Sequence, residues 1–131
     1  MSRWVHDHQL GILVVLGISQ LALGLWMAAS PTNFFEVLGG FGPENAHYVL
    51  DVSTVYLALG AGMLVAAARP SWRPAVLFIA ALQYGIHAFN HLKDVGDADP
   101  SWIGPVDFAT SAATAVLFEY LFWIANREKG R

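Results

Sequence analysis

Four runs of about twenty residues in which formal charge almost disappears constrain this chain more than any motif does. Leu10–Ala29 holds no charged residue, and Tyr48–Ala68 carries only Asp51. Ala75–Leu92 carries none, and Pro105–Ala125 has Asp107 near its start and Glu119 deeper. A hydrocarbon core about 30 Å thick needs about 20 helical residues, and only helices or closed barrels satisfy their backbone there. The runs therefore predict four membrane-spanning helices, near residues 10–29, 47–68, 75–93 and 105–125, in one integral membrane domain over residues 1–131. The expected fold is all-α, a four-transmembrane-helix bundle seated in a lipid bilayer, with no nucleic-acid partner. Charged residues make up 13% of the chain and hydrophobic ones 56%, whereas soluble domains are about a quarter charged. With no cysteine, the chain by itself has no disulfide, thiolate ligand or thiol redox chemistry.

The connections add detail. Leu10–Ala29 competes with a secretory-signal reading, since Ala28, Ala29 and Ser30 offer small residues for cleavage, but the run exceeds the roughly 7–15 apolar residues of such a signal. Gly17 and Gly24 predict close helix packing, as do Ala58, Gly62 and Ala66 in the second span. Between these spans, Ser30–Ala46 mixes Pro31, Gly39, Gly40, Gly42 and Pro43 with Phe34, Phe35, Val37, Leu38 and Phe41. That mixture predicts a short amphipathic segment at the membrane interface. Arg69 to Pro74 predicts a tight loop, with both arginines at the membrane surface and Trp72 in the aromatic belt. In a four-span topology Arg3, Arg69, Arg73, Arg127, Lys129 and Arg131 share one side and only Lys93 the other. The positive-inside rule then places both termini in the cytoplasm of a multi-pass protein of the plasma (inner) membrane.

Chemistry concentrates in Gln83–Asp94, Q-Y-G-I-H-A-F-N-H-L-K-D. Helical neighbours lie three and four residues apart, so His87 and His91 stack about 6 Å apart along the axis. The topology gathers His47, Asp51, His87, Asn90, His91, Asp94 and Asp107 at the outer end of the bundle. Thr110, Ser111 and Thr114 extend the polar stripe inward from Asp107, and Gln83 does so from the third span. Ionisable residues in spans are costly and tend to be functional. Three readings of the cluster stay open. It is a hydrated mouth with no ligand; or His47, Asp51, His87 and His91 bind a divalent transition metal such as zinc, iron or manganese; or two histidines ligate haem. Haem is the weaker case, because His6 and His8 precede the first span and leave no second histidine pair near the inner face. In the metal reading Asp94 and Asp107 act as general base or orient the ligands, while Gln83, Asn90 and Thr114 line the pocket. Glu119 lies apart, either pairing with Arg127 or lining an inner cavity.

The segments F-G-P-E-N-A-H-Y-V-L-D, V-Y-L-A-L-G-A-G and L-Q-Y-G-I-H-A-F-N-H-L-K-D-V-G-D-A-D-P-S-W-I-G-P-V-D resemble small four-helix integral membrane proteins of actinobacterial type, broadly DoxX-like. The resemblance covers most of the chain. It implies a bacterial four-helix bundle and the patterns Asn45, His47, Asp51 and His87, Asn90, His91, Asp94. It also implies quinone or thiol redox partners, of which the thiol part finds no cysteine here. The leading functional expectation is an outward-facing His/Asp site, metal-binding, acting on a lipid-soluble substrate from the outer leaflet as an oxidoreductase or hydrolase. The alternative is a non-catalytic accessory or structural subunit that binds membrane-protein partners or copies of itself. A transporter comes third, since four spans without a broken helix give it little support.

Overall fold

One side-chain cap and two prolines mark where three of the helices begin. In the computed structural model, which describes the backbone of residues 3–129 and the side chains of 9–127, the elements are α1 (Arg3–Ala29), α2 (Pro31–Val37), α3 (Ala46–Ala68), α4 (Arg73–Lys93) and α5 (Ile103–Lys129). Asn45 accepts the Tyr48 backbone N–H at 3.1 Å through its side chain and so starts α3. Pro31 occupies the first turn of α2 and Pro74 that of α4, where the missing N–H costs nothing. A single 3-10 turn, Pro70–Trp72, reverses the chain between α3 and α4. Four of the helices are long and apolar enough to cross a membrane, and they pack as a bundle. The interfacial segment predicted between the first two spans contains the seven-residue α2.

Helix α1 packs most closely on α3, and α4 on α5; the contact of α3 with α4 is thinner. Two glycines make the first pairing tight. A Cβ on Gly60 would lie 2.7 Å from Leu21 Cγ and 2.8 Å from the Gly17 carbonyl. The predicted α3 seam holds only in part: Ala66 is buried in the core, but Ala58 is exposed, Gly62 faces Val76 of α4, and the close approach to α1 runs through Gly60. Small residues allow this because, in lipid, helix association rests on van der Waals contact rather than on release of water.

The packed core occupies only the half of the bundle nearest the termini. Leu13, Met63, Ala66, Leu77, Ala80, Phe118 and Leu121 meet there, contributed by all four long helices. At that end Arg73 departs from its expected place at the surface. It is 1% exposed, and its guanidinium donates to the carbonyls of Ala66 (3.2 Å) and Ala67 (3.4 Å) and to Gln9 Oε1 (3.1 Å). The reason is local: α3 stops at Ala68, its last carbonyls lack intrahelical partners, and an arginine five residues on can turn back to bond them. Arg69 stays exposed.

At the opposite end the connections fold over the bundle. Trp26 Nε1 donates to Asn33 Oδ1 (3.0 Å) and its ring meets Phe34 edge-on, fixing α2 on α1. Thr32 donates to Glu44 (2.6 Å). The segment after α2 forms an isolated antiparallel bridge, Phe41 to Ala98, with Asp99 N–H donating to the Gly40 carbonyl at 2.9 Å. A Cβ at Gly40 would run into the Asp99 carbonyl, so glycine is what lets the two connections touch.

Candidate functional site

Between the core and these connections the helices part around a cavity of about 500 Å³. Its apolar wall comes from Leu23 and Met27 of α1, Phe34 and Phe35 of α2 with the following Leu38, and Val49 and Val52 of α3. Its polar wall comes from α4 and α5. Tyr84, His87 and His91 fall on one face of α4 because they are spaced three and four apart, and Asn90 and Asp94 flank them. Asp107, Thr110, Ser111 and Thr114 form the matching stripe on α5.

The centre of the polar wall is a histidine pair. His87 Nε2 and His91 Nε2 lie 3.1 Å apart with their rings nearly perpendicular, at 84°. The Tyr56 hydroxyl reaches across from α3 to within 3.5 Å of His87 Nε2. Phe41, held by the bridge to Ala98, covers His91 with ring centroids 5.0 Å apart. Beneath them Tyr84 donates to Gln20 Oε1 at 2.9 Å, a buried bond that closes the floor.

The α5 wall has a definite polarity of its own. Thr110 donates its hydroxyl hydrogen to the Val106 carbonyl (2.8 Å) and Thr114 donates to Thr110 (2.7 Å). Their hydrogens are thus committed to the helix, and only oxygen lone pairs face the cavity. Asp107 adds a carboxyl among them. The two threonine oxygens accept hydrogen bonds or face a cation, while the Ser111 hydroxyl on the same stripe can donate.

The structure brings together some of the residues expected from sequence and separates others. His87, Asn90, His91, Asp94, Asp107 and Thr114 all line the cavity. His47 and Asp51 do not. They pair with each other at 3.5 Å, with side chains 85% and 69% exposed. Among the described residues, no group of three or more His, Asp or Glu side chains is close enough to hold a metal ion. The four-ligand set of His47, Asp51, His87 and His91 is therefore two separate pairs. Spacing of four makes His47 and Asp51 share a face, yet the inward face of α3 carries Val49, Val52 and Tyr56, and Val49 is turned about 200° from His47. Gln83 lies outside the cavity, in a narrow groove with Val55, Tyr56 and Leu59. Glu119 is exposed; Arg127 instead places its guanidinium 3.6 Å from the centre of the Trp123 ring. His6 and His8 fall outside the described side chains.

Sequence reading passed over Tyr56, Tyr84 and the partner role of Gln20. A signal existed for Tyr84, which precedes His87 by three residues and so shares its face. For Tyr56 it was the run Val49, Val52, Tyr56, one helical stripe ending in a hydroxyl. Comparison of the chain with protein-family models, curated proteins and solved structures finds no match, so the site is read from its own geometry.

Proposed function

We propose that this is a multi-pass membrane protein whose cavity binds a lipid-soluble molecule by its polar head, with the cavity mouth at the outer face of the membrane. The observation that carries this reading is one cavity of about 500 Å³ with apolar side chains of α1, α2 and α3 on one side and polar side chains of α4 and α5 on the other, to which Tyr48 and Tyr56 add hydroxyls from α3. That volume is in the range of small-molecule sites, which are mostly apolar with a few placed polar groups. The α5 oxygens and the imidazoles favour a head carrying hydroxyl or amine donors beside a hydrogen-bond acceptor. Orientation follows from the basic residues, which gather with the termini, while the cavity lies at the other end. Asp107 and the histidine pair are placed for proton transfer to such a head.

The test is recovery of the ligand. Protein purified in mild detergent is extracted with organic solvent and the extract analysed by mass spectrometry, beside Val52→Trp, whose indole intrudes into the cavity from its apolar wall. One compound class retained by the wild type and lost from a folded Val52→Trp supports the reading; equal recovery from both defeats it. A second reading, an accessory subunit of a larger membrane complex, draws on Glu119, an exposed carboxylate on α5 about 12 Å along the axis from Arg127. Loss of a co-purifying membrane protein on Glu119→Gln would favour that reading over the first.

A further inference from the structure

We infer that His87 and His91 together hold one divalent transition-metal ion on the polar wall, and that the ion coordinates the head of the lipid-soluble ligand. The inference rests on the cavity reading for the ion's role, though not for its binding. Two nitrogens each about 2.0–2.1 Å from one ion lie about 3.3 Å apart at a tetrahedral angle and about 2.9 Å apart at a right angle. The Nε2 atoms of His87 and His91 are 3.1 Å apart, between these limits, so with neither Nε2 protonated the separation is one that a single ion can bridge.

The rest of the coordination sphere explains why such a site would be open. Only two protein nitrogens converge, and no third carboxylate or imidazole is already in place among the described residues. The Tyr56 hydroxyl, 3.5 Å from His87 Nε2, and Asp107 on the same cavity wall offer oxygen to complete one or two positions. The remaining positions face the cavity, where an oxygen of the ligand head or water would fill them. Two imidazoles with oxygen donors suit zinc, iron(II), cobalt(II) or manganese(II) better than calcium or magnesium, which take oxygen ligands. Protein metal sites that keep open positions are those that bind or polarise a substrate. His47 and Asp51 take no part, since they point away as an exposed pair of their own.

The experiment uses the full chain, expressed without a histidine tag, purified in mild detergent and stripped with chelator. Titration with Co²⁺ is followed by visible absorption and by bound cobalt per chain. One Co²⁺ per chain is expected, displaced by Zn²⁺, with affinity falling more than about tenfold in His87→Ala and in His91→Ala. His47→Ala and Asp51→Ala should titrate like the wild type. Should the histidine variants lose helicity by circular dichroism, the wild type answers alone: Co²⁺ should broaden the imidazole resonances of two of its five histidines, and broadening of none, or of all five equally, refutes the site. No stoichiometric binding, binding that survives the double substitution His87→Ala/His91→Ala, or loss of binding in His47→Ala would each overturn the inference. Recovery of the lipid ligand from the stripped protein is measured in parallel. A retained lipid with no cobalt site overturns the metal inference and leaves the cavity reading standing.

Discussion

Tyr84 of α4 and Gln20 of α1 share a buried hydrogen bond of 2.9 Å directly below the histidine pair, joining the two tightly packed helix pairs at the level where the cavity begins. Hydrogen bonds between membrane helices average about 0.6 kcal/mol and reach about 1.7. Tyr84→Phe, which keeps the ring against Phe118, should destabilise the fold by that amount, seen as a lower unfolding midpoint in detergent. Tyr84→Ala should cost more, since the ring contact goes too. A Phe variant as stable as the wild type would show that the bond holds nothing together.

The close approach of α1 and α3 predicts opposite outcomes at two glycines. Gly60→Ala forces a methyl group against Leu21 and the Gly17 carbonyl and should destabilise by about 1–3 kcal/mol. Gly85 has open space where its Cβ would be, so Gly85→Ala should be neutral or stabilise by up to about 1 kcal/mol through helix propensity. Thermal unfolding of the two variants side by side checks both signs.

Arg69 and Arg73 flank the same turn and should behave differently. Removing the Arg73 guanidinium leaves the Ala66 and Ala67 carbonyls and Gln9 without a donor. Arg73→Met should therefore lower stability by about 1–3 kcal/mol. Arg69 is exposed, and Arg69→Met should change stability by less than about 0.5 kcal/mol. Comparable losses in both variants would mean that the buried network is not what secures this turn.

Topology can be read directly. With the basic residues inside, a reporter fused after Arg131 should be active only as a cytoplasmic enzyme, and one inserted near Asp97 only as an external one. The reverse pattern would turn the cavity mouth toward the cytoplasm and require a different route for the ligand.

The four helices were legible because membrane length and missing charge act on whole segments, and no other fold satisfies twenty apolar residues four times over. His87, His91 and Asp107 were legible because each lies in a span where polarity is costly, and Asp94 because it follows His91 by three residues at the end of α4. What a single sequence withholds is rotation. His47 and Asp51 share a face, but whether that face turns inward depends on how α3 sits against α1, and that is set by Gly60 meeting Gly17 across some forty residues of chain. Arg73 was misplaced for a related reason. Its pull toward the α3 carbonyls appears only once the Pro70–Trp72 turn brings α4 back beside the end of α3. The cavity follows from geometry as well, because it is where helices that touch at one end diverge.

The confinement of the core to one half of the bundle divides the tolerance of this protein to change. Substitutions around Met63, Leu77 and Phe118 act on folding, whereas those around Val52, Asn90 and Thr114 change the cavity wall and alter chiefly what fits there. Variation at the hollow end is therefore expected to leave the helices assembled, whereas variation at the packed end draws directly on a small margin of stability.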